Sequence, residues 1–443
     1  MIYFLTHAVE RTPVHAGLWR NVKAYARKLD AQIRVHLGLY KNRNNPYEAD
    51  PAKEAWWDPA FTGYDVAGML RLNSNAAFAA DVRIVPTAQN PLSGLQLHGG
   101  HASVIFPHTR QHLRTYPAGN SKYAKVHATT GAVTLPNYSD TKLGIKAHDH
   151  HIHGFMIVEV VDDKIFHVRN VNARSSDGAF VDSARGFLVS DGKVSEAPPA
   201  QCLRIGDSHA HEQDEQAIRA VIDIRETNEP ARVIVDDIYS HSVAGHRVER
   251  DGWRFKARAH RAGKTVSDEL TEAFELMHRL GATDVMHSNH HDHLDEWLAN
   301  VDARHDPANV LMWAALLGSV AMTDRPAIEC AAEWHTWAAR PRFWRRGERC
   351  VIDGVRHDHG HEGFGGARGT ASQWHKAGCK VTTAHAHSEI IRDGHYQVGH
   401  TSDASKHHYA DETKSNWSQS VIVQDCLGKR QLIRLIDGEY LLS

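Results

Sequence analysis

Cys202-Leu203-Arg204-Ile205-Gly206-Asp207-Ser208-His209 is an apolar β-type run that ends directly on an Asp-x-His pair. In α/β folds the chemistry-bearing loops leave the carboxyl edges of strands, so such a run predicts both a strand and a site. The same grammar recurs downstream. Residues 232–235 run into Asp236-Asp237, 284–286 into Ser288-Asn289-His290, 350–352 into His359-Gly360-His361, and 380–383 into His385-Ala386-His387. Helical spacing of apolar residues lies between them, at 215–224, 266–280, 294–301, 310–322 and 328–339. This alternation predicts an α/β fold, and residues 421–442 read as closing antiparallel strands.

Upstream the pattern differs. A strand at 2–5 is followed by a helix through Leu18, Trp19, Val22, Tyr25, Ala26 and Leu29, then by a strand alternating at Ile33, Val35 and Leu37. Further strands are predicted at 102–106, 131–135, 155–161 and 164–171, among segments rich in Gly, Pro and Asn. Residues 1–196 read as a β-rich mixed α/β amino-terminal domain. Pro198-Pro199 marks the expected junction with a second domain, 197–443.

A chain of 443 residues has room for two or three domains, at about 100–200 residues each. Apolar residues at 42% and charged residues at 23% are the usage of a globular protein with a real core. No apolar run approaches the length of a membrane-spanning helix, and the start lacks the basic flank and apolar stretch of a secretory signal. Five scattered cysteines without a CxxC pair point to a reducing compartment, with cytoplasm the expected location, and away from a thiolate zinc site. The net charge of −2 does not announce a nucleic-acid binder. Histidine is the outlier at 35 copies, and only its clustered members invite a functional reading.

A single His-x-His in a chain so rich in histidine is more often surface than ligand. Five clusters in order, each at a predicted strand end, reverse that reading. Oxygen donors come first and imidazoles later, a mixed set that suits two divalent ions; manganese is favoured, with zinc, nickel or iron also admitted. A turn after the first strand can aim Asp207 and His209 at one ion. Asp236 is placed to bridge, and Asn289 offers a neutral oxygen to the second ion. His361 and His385 would complete that ion's shell and His387 the first ion's, leaving His290 as a general acid.

The pattern resembles the calcineurin-like metallophosphoesterases, whose signature runs DxH, GDxxD, GNH(D/E), H, GHxH. Three stretches are more narrowly similar to the DNA-transfer (pre-early) nuclease family of T-odd coliphages: Asp236-Asp237-Ile238-Tyr239-Ser240-His241-Ser242-Val243-Ala244-Gly245-His246, His359-Gly360-His361-Glu362-Gly363-Phe364-Gly365-Gly366-Ala367-Arg368-Gly369, and Ala384-His385-Ala386-His387-Ser388. Ser288-Asn289-His290-His291-Asp292-His293-Leu294 agrees with the same family. The resemblance is good over 200–405. Upstream it is fainter, resting on Pro86-Thr87-Ala88, Asn90-Pro91-Leu92-Ser93-Gly94 and Thr134-Leu135-Pro136-Asn137-Tyr138. It implies a metallophosphoesterase β-sandwich flanked by helices, and manganese-dependent DNase activity tied to destruction of host DNA early in infection. The chain departs from the pattern at Val235, Tyr239, Ser288, His291 and Ala384, none of them a direct ligand. Asp237 rivals Asp236 as the bridge, the register to Ser242 favouring Asp236, and His359 rivals His361.

Two basic stretches interleaved with aromatics could follow a DNA backbone, most naturally a duplex. One holds Arg247, Arg254, Lys256 and Arg258 beside Trp253 and Phe255; the other holds Arg342, Arg345 and Arg346 around Phe343 and Trp344. Arg368, in the Gly-rich run 363–369, either meets substrate phosphate or belongs to a plain tight turn. His148-Asp149-His150-His151-Ile152-His153 reads as exposed loop histidines rather than ligands. Two other readings share these residues: a phosphatase or small-molecule phosphodiesterase, and a non-catalytic DNA-binding or assembly protein with structural metal. The amino-terminal domain leaves open whether it clamps DNA, builds a homo-oligomer or binds a host factor.

Overall fold

The computed structural model describes residues 1–39, 55–118, 123–243, 263–302, 306–406 and 415–442. Among these, strands assemble into two ten-stranded sheets and a three-stranded one, an α/β arrangement rich in sheet. The first large sheet runs in the order Arg342–Phe343, Asp284–Val285, Val233–Val235, Cys202–Ile205, Gln419–Gln424, Arg430–Leu435, Phe166–Asn172, Gly154–Val160, Ile2–Val9 and Gln32–Gly38. Its first four strands are parallel to one another. Gln419–Gln424 pairs antiparallel with Cys202–Ile205 and with Arg430–Leu435.

The second large sheet runs Cys350–Ile352, Val355–His357, Lys380–Thr383, His395–Gln397, Ile390–Arg392, Leu113–Tyr116, Lys125–Thr129, Ser103–Phe106, Ala76–Ala79 and Met69–Asn73. Val355–His357 and Lys380–Thr383 are parallel neighbours in it. Both sheets draw strands from either side of Pro198-Pro199, so the change of pattern there is not a break in either sheet.

The two sheets face each other across one apolar layer. Leu5, Met156, Val158, Ile422 and Leu432 from the first meet Phe78, Ile105, Leu113, Val126 and Ile391 from the second. Helices cover the outer face of the first sheet. Ala16–Leu29 packs Leu18, Val22 and Tyr25 against Phe4, Val35 and Phe155. Glu215–Asn228 and Val266–Leu280 bury Ile218, Val221, Leu270, Phe274 and Met277 against Leu203, Val233 and Val235. Each large apolar side chain so buried contributes about 1.5–3 kcal/mol. The second of these helices starts at a Thr265–Asp268 capping box and stops at Gly281, whose φ of 69° suits glycine.

Three expectations shift. Residues 131–135 form no strand, because their backbone groups divide among three segments: Ala132 N–H donates to Ile152, Val133 N–H to His7 and Leu135 N–H to Pro13. The helix expected over 328–339 ends at Ala332, where the Trp337 indole donates to the Ala332 carbonyl at 2.7 Å and replaces its next turn. Cys350–Ile352 is the outer arm of a hairpin, and its partner Val355–His357 leads into His359.

Candidate metal centre

Five loops meet where the parallel strands of both sheets end. Asp207 and His209 follow Cys202–Ile205, Asp236 and Asp237 follow Val233–Val235, and Asn289 and His290 open the helix Asn289–Asn300 just after Asp284–Val285. From the facing sheet, His359 follows Val355–His357, and His385 and His387 follow Lys380–Thr383. The approach is tight: a Cβ on Gly206 would sit 1.8 Å from the Gly399 carbonyl oxygen. Gly206→Ala is therefore expected to cost about 1–3 kcal/mol by overpacking and to displace Asp207, read as a lower melting temperature together with weaker metal binding.

Donor atoms of Asp207, Asp237, His359 and His385 lie within 4.8 Å of one another, as do those of Asp207, His209 and His387, and those of His209, Asp237 and His290. Nε2 of His387 is 2.8 Å from Asp207 and 3.4 Å from Nε2 of His209. The two imidazole nitrogens are close enough to share a hydrogen bond, or to bind one ion together. Asn289 Oδ1 is 3.1 Å from Nε2 of His359, and Asp237 is 3.5 Å from the same nitrogen and 3.7 Å from Nε2 of His290. Buried Asp237 Oδ1 and His290 Nδ1 find no hydrogen-bond partner among the described residues.

The structure does not bring Asp236 into this donor set. Its carboxylate is held by Arg204, fully buried beneath it, and accepts from Nδ1 of His359 at 2.9 Å. Its neighbour Asp237 occupies the central place instead. The backbone explains the exchange: φ is 40° at Asp237, 42° at His209, 68° at His385 and 54° at His387. Left-handed non-glycine residues cost about 1–3 kcal/mol each and cluster at functional sites. His361 is likewise absent from the three groups. It joins His287 and Asp292 in a separate one, and His359 stands where His361 was expected.

Electrostatics describe a site short of positive charge. Burial pushes Asp236 up to about 8 and drives Asp237 well above the carboxylate range, with Asp207 adding to both. Burial acts upward on Asp207 too, but His387 and His359 outweigh it and hold that carboxyl well below its ordinary value. Burial keeps His359 far below the usual imidazole range and, with His293, lowers His290 to about 3. Asp236 and Asp237, which burial holds toward the neutral form, beside the His359 and His290 rings that burial keeps from protonating, fit divalent ions, which favour carboxylate and bind neutral imidazole.

The departures from the resembled pattern have local uses. Ser288 caps the helix Asn289–Asn300 by accepting from His291 N–H at 3.3 Å. Tyr239 is buried and bonded to His241. Ser240, unmarked in the sequence, stands 2.7 Å from Nδ1 of His209 and fixes which nitrogen that ring presents.

Of the basic candidates, Arg247, Arg254, Lys256 and Arg258 lie outside the described residues. Arg345 and Arg346 line a cavity of about 140 Å³ together with His359 and His361. Both are paired, Arg345 with Glu329 at 3.0 Å and Arg346 with Glu362. Arg342 lies 3.5 Å over the Trp344 ring, and Arg368 is exposed on the Gly-rich loop. The 148–153 tract, expected to be exposed loop histidines, is so only in part: His148 is exposed but lies in the last turn of the helix Lys142–Asp149, His151 bonds Tyr138 and Thr134, and His153 is buried edge-on to His15.

Among the described residues no helix is long and apolar enough to cross a membrane. No family model matches the chain, and no solved structure matches it. Across 99% of its length it is 28% identical to Protein A1 of Escherichia phage T5, over 484 aligned residues that cover 82% of that protein.

Proposed function

We propose that this chain is a phage-encoded, two-metal-dependent DNase of the metallophosphoesterase kind. The observation that carries the reading is the convergence of Asp207, His209, Asp237, Asn289, His359, His385 and His387 from five strand ends onto one buried, charge-deficient point. Asp207, His209 and His387 would hold one ion, Asn289, His359 and His385 the other, with Asp237 between them. Bound there, two divalent ions supply neutralisation of phosphate oxygens and acidification of an attacking water.

The chain's own groups do the rest. Asp236 accepts the Nδ1 proton of His359 and so leaves Nε2 facing the centre. His290 sits beside Asp237 with its side chain 23% exposed, placed to meet a substrate. An anionic phosphodiester favours its charged form, and the proton so gained can pass to the departing oxygen. Arg345 and Arg346 stand on the wall shared with His359, where a further phosphate would have to displace Glu329 and Glu362 from them, and near-full-length similarity to a phage protein supports the host setting.

The test is cleavage of plasmid and linear DNA by purified protein with manganese. Strand scission is expected that EDTA stops and that His290→Ala slows by about 10²–10⁴-fold. Metal-loaded protein that binds DNA yet never cuts it, with any of several divalent ions, would make the chain a binding protein. Hydrolysis of p-nitrophenyl phosphate that DNA fails to compete would make it a phosphatase.

A further inference from the structure

His287, Asp292 and His361 form a donor group that shares no residue with the centre described above. Their ligand atoms lie within 4.8 Å of one another, and Nε2 of His287 is 2.8 Å from Oδ1 of Asp292. Three elements deliver them. His287 follows the strand Asp284–Val285, Asp292 sits in the first turn of the helix Asn289–Asn300, and His361 comes from the loop after Val355–His357. A His–Asp hydrogen bond alone needs no third group. Yet the His361 ring lies 5.2 Å from that of His287, and its buried Nδ1 has no hydrogen-bond partner among the described residues.

The neighbouring cations are already neutralised, Arg346 by Glu362 and Arg356 by Asp358 at 2.6 Å. The carboxylate of Asp292 thus faces the imidazoles of His287, His361 and His291, with the Asp295 carboxylate nearby adding negative charge. All three residues are half-buried, so an ion can reach them from solvent.

We propose that His287, Asp292 and His361 make a third divalent-cation site, for a borderline ion such as manganese, cobalt or zinc. Two nitrogens and one carboxylate oxygen are a donor set such ions accept, and three protein ligands leave positions open. His287 and His361 line the same 140 Å³ cavity as His359 and Arg346, so the open side of the ion meets the space where a phosphate would lie. That role in holding phosphate rests on the nuclease reading. Occupancy of the site does not.

Metal content of the purified full chain, loaded with manganese or cobalt and then freed of excess, tests it. Three ions per chain are expected in the wild type and two in Asp292→Asn, which keeps a hydrogen bond to His287, and in His361→Ala. Melting curves confirm that each variant is folded. Variants that retain as many ions as the wild type would overturn the site. Asp237→Ala separates the two readings: an ion kept there but lost in Asp292→Asn supports the third site even if the two-metal centre fails. Two ions, both lost in Asp237→Ala and kept in Asp292→Asn, would leave the two-metal centre standing and the third site refuted.

Discussion

Asp237→Ala is expected to lower DNA cleavage by at least about 10²–10³-fold, the scale set by removing one preorganised electrostatic group from a water-poor site. The measured quantities are the rate on plasmid DNA with manganese and the ions retained per chain, and both should fall. Asp237 is fully buried, stands within 3.7 Å of His290 and 3.5 Å of His359, and shares a donor group with Asp207. Asp236→Asn should behave differently. The hydrogen bond that joins Asp236 to the centre is the one from Nδ1 of His359, and losing an orienting carboxylate costs about 10–100-fold in metal affinity or activity. It also strips Arg204 of the one carboxylate it pairs with among the described residues, leaving that guanidinium with the Asp358 carbonyl at 3.0 Å, so thermal stability should drop as well. Equal losses in the two variants, or a larger loss of bound ions in Asp236→Asn, would place the bridge at Asp236 instead.

The choice between neighbours was the part of the site hidden in the sequence. Four of the five clusters were legible because an apolar run led straight into them, and 202–205, 232–235, 284–286 and 380–383 correspond to strands of the structure. Which member faces inward depends on φ. Asp236 and Asp237 differ by one residue; with φ positive at Asp237, its carboxylate joins the donor groups while that of Asp236 meets Arg204, and nothing in an Asp-Asp pair announces that arrangement. His359 and His361 would share a face if the backbone between them were extended. Gly360 has φ of 100°, which breaks the alternation and sends the two rings to different groups. His287 and Asp292 carried no signal, because their partner His361 lies far along the chain. Strands such as Ala76–Ala79 and His395–Gln397 were equally silent: small or polar residues over three or four positions lack the period-2 contrast that marks a half-buried strand. The sharing of both sheets by 1–196 and 197–443 rests on pairings such as Ile433 with Arg169 and Ile391 with Leu113, which no local pattern encodes.

Asp182→Ala is expected to destabilise the fold by about 3–5 kcal/mol, the cost of removing one partner from a buried ion-pair network. Arg169 is fully buried and donates to both Asp182 oxygens, at 2.8 and 2.7 Å. Tyr25 adds a 2.6 Å hydrogen bond from the helix Ala16–Leu29. Glu159 completes the set, 2.6 Å from Arg169 and 2.8 Å from Arg185. Two guanidinium groups and two carboxylates balance, and the set ties the three-stranded sheet, through Asp182, to Gly154–Val160 and Phe166–Asn172 in the large one. Alanine leaves a surplus buried positive charge and a Tyr25 hydroxyl without its acceptor. Burial raises the Asp182 carboxyl, but Arg169 outweighs it and the net direction is down. A carboxyl depressed by folding stabilises above its unfolded value, about 4, and that contribution is lost as pH falls below it. The gap between the urea midpoints of wild type and variant should therefore be widest near pH 7 and close progressively below pH 4. A gap of less than about 1 kcal/mol at pH 7, or one that grows on acidification, would mean that Arg169 finds compensation elsewhere and that the network is not what joins the two sheets.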